Sequence, residues 1–281
     1  MSGVDAGRGP AASYGFDGVA PRYDRTRGGE ERGRKVAARL VPFLRPGAPV
    51  LDVGTGTGVV GRALTDLGHT VYGLDLSPAM LVRARQRLGP VVVAADAARL
   101  PFRASTVEQA VSVWVLQMVA DAPAVLAEVA RVLVPGGRYV IASGVLLPAD
   151  DPIGIVYEEV WRSLDVDGRR DDRSARLRLL APEAGFTVEH TGRFEPTYHR
   201  QSPAEAAAFL ESGAPFFLWA LDAAERRRAI GPAVARLRAM PDPDRPRTRR
   251  TQRELVVLRR IPRTRAPHRS DRRQTAGGAD A

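Results

Sequence analysis

Between residues 50 and 142 the apolar positions switch repeatedly between two periods. Short, nearly continuous apolar runs of buried-strand type occur at Val50–Val53, Thr70–Asp75, Val91–Asp96, Glu108–Val115 and Tyr139–Ala142. Between them the apolar residues take helical spacing. One helix is expected from Val59 to Gly68, a second opens at Ser77-Pro78 and runs to about Leu88, and a third is capped by Asp121 and runs through Leu133. Upstream, Val36, Ala37, Leu40, Val41 and Leu44 mark a helix within residues 30–44, which Pro46-Gly47 stops. Five strands alternating with helices predict an α/β fold with an open, mostly parallel sheet and helices on both faces. The ligand of such a sheet sits at the carboxyl ends of the strands.

Beyond Ser143 the pattern loosens. Helices are expected from Pro152 to Leu164, from Ser174 to Ala184, from Ser202-Pro203 through Leu210, and from an Asp222 cap to about Met240. A strand is expected over Gly185–Gly192, the run 241–250 reads as a connector, and Glu254–Arg259 reads as the last strand. No internal repeat is visible. Residues 1–13, rich in Gly, Ala, Ser and Pro, are expected to be disordered, and Tyr14 to Arg27 form an aromatic and polar segment suited to a lid or to packing over the core.

The first strand runs into Gly54-Thr-Gly56-Thr-Gly58. Glycine is required where the backbone takes positive φ or approaches a ligand closely, and the following helix points free N–H groups and its positive end into the same crevice. A nucleotide-like ligand fits there. Gly56-Thr-Gly58-Val-Val-Gly61 also matches the dinucleotide fingerprint GxGxxG, which alone is a weak signal. A dinucleotide site uses one acid after the second strand and has little use for Asp52, a charge inside the first. This chain carries Asp52, Asp75 and Asp96 in or at the end of its first three strands. Three acids suit a ligand with an ammonium, a ribose diol and an adenine amine, which are the donors of S-adenosylmethionine. Helix capping is the competing role for Asp75 and Asp96, although Ser77 already supplies a cap after Asp75.

Composition narrows the classes. With 281 residues and 44% hydrophobic content the chain can bury a large core. It has no cysteine, which excludes disulfides, thiolate metal sites and cysteine nucleophiles, and its four histidines (His69, His190, His199, His268) are too scattered to suggest a metal site. No apolar leader or membrane-length run is present, so the chain reads as soluble and cytoplasmic. The formal charge of +10 is concentrated at the end: residues 241–281 hold 12 arginines against 5 acids, leaving 30 basic and 27 acidic groups in the rest. Lys35 is the sole lysine, an arginine bias that points to genomic base composition more than to phosphate recognition. The tail reads as a solvated, disordered end, and a nucleic-acid partner is not expected.

LDVGTGTG, GLDLSPAML, AADAARLPF, WVLQMVAD and LVPGGRYVIA occur in that order over the first half of the chain. In these stretches the chain resembles the class I S-adenosylmethionine-dependent methyltransferases, in particular the methyltransferase-domain group that includes ubiquinone/menaquinone-type and small-molecule enzymes. The resemblance runs from about Tyr14 to Ala142, with a last strand at 254–260. It implies a Rossmann-like, mostly parallel seven-stranded sheet with a mainly helical cap insertion. The domain plan it implies is an arm and lid helix (1–45), a cofactor-binding core (46–145), a substrate-cap region contributing one core helix and strand (146–245), the last core strand (246–262) and a basic disordered tail (263–281).

The resemblance also implies roles. Gly54, Gly56 and Gly58 would let the backbone approach the methionine part of S-adenosylmethionine, with Asp52 near its ammonium. Asp75 would accept the ribose hydroxyls, Leu76 would lie on the adenine, and Asp96 and the Ala97 N–H would meet its polar edge. Trp114 and Gln117 would flank the sulfonium, and Tyr23 resembles the lid tyrosine. Trp114-Val-Leu-Gln stands where an Asn/Asp-Pro-Pro-Tyr/Phe run would mark exocyclic-amine methylation. The aromatics Tyr157, Trp161, Phe194, Tyr198, Phe209, Phe216, Phe217 and Trp219 suit a small apolar or aromatic acceptor, although core packing alone also accounts for most of them. No catalytic base is evident, and His190 and His199 are the weak candidates. Two alternatives stay open: an RNA methyltransferase using the arginine tail, and a cofactor-binding protein without catalysis. Oligomeric state is not legible.

Overall fold

The computed structural model describes residues 16–119, 121–146, 148, 150–164, 173–195, 197–219 and 221–262. The expected N-terminal arm, Tyr14 and the basic tail at 263–281 lie outside the described residues.

The sheet contains β1 (Val50–Val53), β2 (Val71–Asp75), β3 (Val92–Ala94), β4 (Val107–Val113), β5 (Leu133–Leu146), β6 (Phe186–Arg193), β7 (Thr197–Gln201) and β8 (Arg247–Arg260). Its order is β3-β2-β1-β4-β5-β8-β6, with β7 paired to β8. Strands β1 to β5 are parallel, while β8 runs antiparallel to both β5 and β6. The order reverses direction between β1 and β4, and at such a switch point the loops leaving the strand ends diverge and open a crevice.

Period-2 alternation decides which helices cover which face. On β1, Leu51 and Val53 join Tyr139, Ile141, Val256 and Leu258 in one core, covered by α5 (Ala122–Val132) and α7 (Arg173–Leu180). Val50 joins Val111, Val140 and Val257 in the opposite core, under α2 (Gly29–Leu40) and α3 (Val59–Asp66). Asp52 shares the face of Val50, so its charge points into an apolar layer. Strand β3 is flanked by α4 (Pro78–Leu88), whose Ser77 cap accepts from Met80 N.

A separate small core joins α6 (Pro152–Ser163), α8 (Pro203–Glu211) and α9 (Ala223–Arg238) through Ile153, Val156, Leu210, Val234 and Leu237. Both α8 and α9 start with a capping box, Ser202 with Glu205 and Asp222 with Glu225. The aromatic segment ahead of the first strand is a helix, α1 (Phe16–Arg27). It is strapped down by two acids: Asp17 accepts from Ser77 Oγ at 2.5 Å, and Asp24 accepts from Thr57 Oγ1 at 2.6 Å and Arg87 Nη2 at 2.7 Å.

Two expectations are corrected. The run 241–250, expected as a connector, is strand from Arg247 onward: beside the expected seven-strand path it continues β8 and pairs with β7, Thr197 opposite Thr251 through Gln201 opposite Arg247. That segment hides from a hydrophobic pattern because its inward residue is Arg249, buried on Asp151. The fifth strand, expected at Tyr139–Ala142, already begins at Leu133, and Pro135-Gly136-Gly137 bulges within it, where the register jumps between Val107/Leu133 and Gln109/Arg138. Gly137 permits this bulge, since a Cβ there would stand 2.8 Å from the Glu108 carbonyl oxygen. Among the described residues no helix is long and apolar enough to cross a membrane.

Candidate functional site

A cavity of about 230 Å³ opens at the carboxyl ends of β1, β2, β3 and β4. The turn after β1 forms one wall. Gly54 and Thr55 both donate their N–H groups to the Leu74 carbonyl at 2.8 Å, and Gly58 N closes the turn on the Thr55 carbonyl at 2.9 Å. Gly54 has φ 75°, and a Cβ on it would overlap the Val115 γ-methyl, so no other residue fits. Gly56, with φ 57°, has nothing within 4 Å of an added Cβ. Its bare face looks onto the cavity, which it lines together with Gly54. Gly58 is instead the N-cap of α3 and packs against Ala84, away from the cavity lining.

The three acids occupy three distinct environments. Asp75 lines the cavity and is pinned from both sides: Oδ2 accepts from Gly56 N at 2.8 Å and Oδ1 from Ser77 N at 2.9 Å. Burial raises its pKa above the usual carboxylate range, opposed by those backbone donors. Each oxygen keeps a lone pair for a further donor. Asp96 also lines the cavity, exposed, with Oδ1 accepting from Ala98 N at 2.9 Å in an Asx turn. Leu76 and Ala97 line the wall beside them. Asp52 lies one layer lower, 2% exposed, accepting from Thr55 Oγ1 at 2.7 Å beneath the first turn of α3. Burial, with a smaller push from Asp75 and against the Thr55 hydrogen bond, raises its pKa to about 6. Gly61 of α3 leaves it room, since a Cβ there would stand 3.3 Å from Asp52 Oδ2.

The opposite wall is aromatic. Trp114 follows β4 with φ 58°, a left-handed conformation that costs a non-glycine residue about 1–2 kcal/mol and is commonly found at functional sites. Its N–H is held by the Ala142 carbonyl at 2.8 Å, and its indole Nε1 is buried without a partner among the described residues. Phe16 and Tyr23 of α1 also line the cavity, and Trp219 packs on both, edge-on to Phe16 at 5.1 Å. Gln117 does not line it, and its Oε1 is buried without a partner among the described residues.

The remaining expected residues lie elsewhere. His190 on β6 is exposed and stacks on Phe43 at 4.8 Å. His199 on β7 is partly buried, with its pKa lowered by burial and then by Arg249. Neither lines the cavity. Of the aromatics in residues 146–240, Trp161 packs on Phe217 at 5.6 Å and Tyr157 on Phe209 at 6.2 Å, whereas Trp219 reaches Phe16 and Tyr23 of α1. Sequence reasoning missed the strapping acids Asp17 and Asp24 and the lining residues Met80, Met118 and Asp121. It also missed Arg32 and Arg253, stacked over Trp114 at 3.7 and 4.8 Å. Only the seven-residue spacing of the two acids on α1 could have signalled them.

The lining fits the groups of S-adenosylmethionine. A pinned carboxylate with free lone pairs suits a diol, the open face of Gly56 suits close backbone approach, and the exposed Asp96 beside Leu76 and Ala97 suits a flat ring with a polar edge. Residues 51–141 match the family model described as a methyltransferase domain. The chain is 37% identical over 148 residues to the demethylmenaquinone methyltransferase of Mycolicibacterium paratuberculosis, covering 51% of this chain and 64% of that protein. To the demethylmenaquinone methyltransferase of Renibacterium salmoninarum it is 37% identical over 176 residues, covering 60% and 73%. Among solved structures, the YcgJ protein from Bacillus subtilis superposes with a TM-score of 0.55 at 16% identity, over 80% of this chain and 98% of that one. The 4+2 cyclase SpnF superposes with a TM-score of 0.56 at 20% identity, over 89% and 94%. These two likenesses concern the fold, whereas the relatives and the ordered motifs concern the family: the chain belongs to the class I S-adenosylmethionine-dependent methyltransferases.

Proposed function

We propose that the chain transfers a methyl group from S-adenosylmethionine to a small acceptor with an apolar or aromatic body, by direct in-line displacement. The observation that carries this reading is the wall opposite the pinned Asp75, built from Trp114, Phe16 and Tyr23. When bound, the cofactor supplies a methyl group already activated by its sulfonium. The chain's task is then positioning, worth up to ~7–11 kcal/mol in well-oriented systems. In this reading Asp75 fixes the ribose, Leu76, Asp96 and Ala97 hold the adenine, and Gly54 and Gly56 border the amino-acid part, with Asp52 acting on its ammonium through the turn. Trp114 bounds the reacting end, and Phe16 and Tyr23 close over it and exclude water.

A base is required only for a poorly acidic acceptor. Of the two histidines, His199 has its pKa lowered by burial and by Arg249 and lies within the electrostatic reach of Arg253, which stacks on Trp114. The RNA reading rests on arginines at 263–273, outside the described residues. Methyl-labelled cofactor offered with a panel of phenols, naphthols and aromatic acids tests the proposal. Label is expected on at least one planar acceptor and is lost in Trp114→Ala. Transfer to RNA with none to any small acceptor would overturn it.

A further inference from the structure

Behind Trp114 three arginines converge, and among the described residues none of them forms a salt bridge with a carboxylate. Arg32 of α2 lies over the indole at 3.7 Å and Arg253 of β8 at 4.8 Å, while Arg27 of α1 lies over Trp219 at 5.5 Å. Among the described residues Arg27 donates to the Ala214 carbonyl at 2.9 Å, and Arg32 donates to the Arg27 carbonyl at 3.2 Å and interacts with the Tyr23 hydroxyl. The Nε atoms of both Arg32 and Arg253 are buried with no partner there. Asp24, which acts on Arg32, is already committed to Thr57 and Arg87. Burial lowers the pKa of all three arginines, and for Arg253, pushed down to about 10, the neighbouring Arg32 and Arg27 lower it further. Guanidinium groups stacked on aromatic planes present their N–H edges in a fixed fork, the geometry that receives an oxyanion. The cluster lies between two tryptophans, Trp114 at the end of β4 and Trp219 above the lid, next to the end of the cavity assigned to the reacting methyl.

Resting on the methyltransferase reading, we infer that Arg32 and Arg253, with Arg27, form an oxyanion subsite that recognises a carboxylate or phosphate on the methyl acceptor. The acceptor is then an aromatic or apolar body carrying one anionic group. The cluster stands outside the lining that holds Asp75 and Asp96, which favours the acceptor over the cofactor's own carboxylate as its ligand.

Calorimetric titration of benzoate, phenyl phosphate and phenol into the full chain, alone and saturated with S-adenosylhomocysteine, tests the subsite. At least one anionic probe is expected to bind wild type ten-fold or more tighter than phenol, and comparing benzoate with phenyl phosphate distinguishes the two oxyanions. Arg253→Gln is expected to abolish that preference while S-adenosylhomocysteine affinity stays within two-fold. On wild type alone, the better oxyanion is expected to raise Tm relative to chloride at matched ionic strength, which keeps the test valid if the variant folds poorly. Equal or absent binding of the probes, or a preference that survives in Arg253→Gln, would overturn the inference. Weaker S-adenosylhomocysteine binding in the variant with unchanged 5′-methylthioadenosine binding would assign the arginines to the cofactor's carboxylate, and also overturns it. Failure of wild type to bind S-adenosylhomocysteine would count against the methyltransferase reading, separately from the probe titrations.

Discussion

The backbone N–H of Gly56 donates to Asp75 Oδ2 at 2.8 Å, tying the turn after β1 to the acid that ends β2. The carboxylate is therefore aimed before any ligand arrives, and little ordering is left for binding to offset. Burial holds the Asp75 pKa above the usual range, and only the ionised form can accept from two ribose hydroxyls. Affinity for S-adenosylhomocysteine should accordingly fall as pH is lowered, beginning at pH values where ordinary carboxylates remain ionised. Titrations at a series of pH values between about 8 and 5 check this.

Asp52 carries the clearest stability signature. Its folded pKa of about 6 exceeds its ordinary value of 3.8, so the folded state holds the proton more tightly and the unfolded state ionises first. Relative stability is greatest below pH 4 and is lost as pH rises through 6. Asp52→Asn keeps an acceptor for Thr55 without the charge, and should stabilise the cofactor-free protein at pH 8 by about 1–3 kcal/mol, an increment that vanishes below pH 4. If the charge serves the cofactor's ammonium, the same variant should bind S-adenosylhomocysteine more weakly. Urea unfolding at pH 8 and pH 4, paired with calorimetry, reads both effects.

Gly54 is constrained twice, by its φ of 75° and by Val115. Gly54→Ala should cost about 2–4 kcal/mol, combining left-handed strain with overpacking. Adding Val115→Ala should recover the overpacking part and leave the strain. Chemical denaturation of the single and double variants separates the two.

Arg249 reaches Asp151 through Nε at 2.9 Å and Nη2 at 2.8 Å, both residues being less than a tenth exposed. Removing one partner strands a buried charge, so Asp151→Ala should cost about 3–5 kcal/mol. Pairing it with Arg249→Met should restore at least half of that. Equilibrium unfolding of the three variants is the measurement.

The sheet and the cavity wall at its strand ends were legible because they rest on local chemistry. Continuous apolar runs, Ser77-Pro78 and Asp121 as helix starts, and glycines at positive φ are all written in neighbouring residues. What escaped was long-range or polar. Strand β7 and the first half of β8 pair around a buried arginine, so no apolar period marks them. Arg32 and Arg253 are 221 positions apart and meet only because α2 and β8 both pack beside Trp114. The aromatics of residues 146–240 looked alike in sequence, and only folding separates Trp219, packed on Phe16, from Trp161, packed on Phe217.

Isothermal titration of S-adenosylhomocysteine into wild type and Asp75→Ala tests the cofactor assignment most directly. Two charge-assisted hydrogen bonds of about 1.5–3 kcal/mol each predict binding to wild type and at least ~100-fold weaker binding to the variant. No binding to wild type, or equal affinity in Asp75→Ala, would contradict the account.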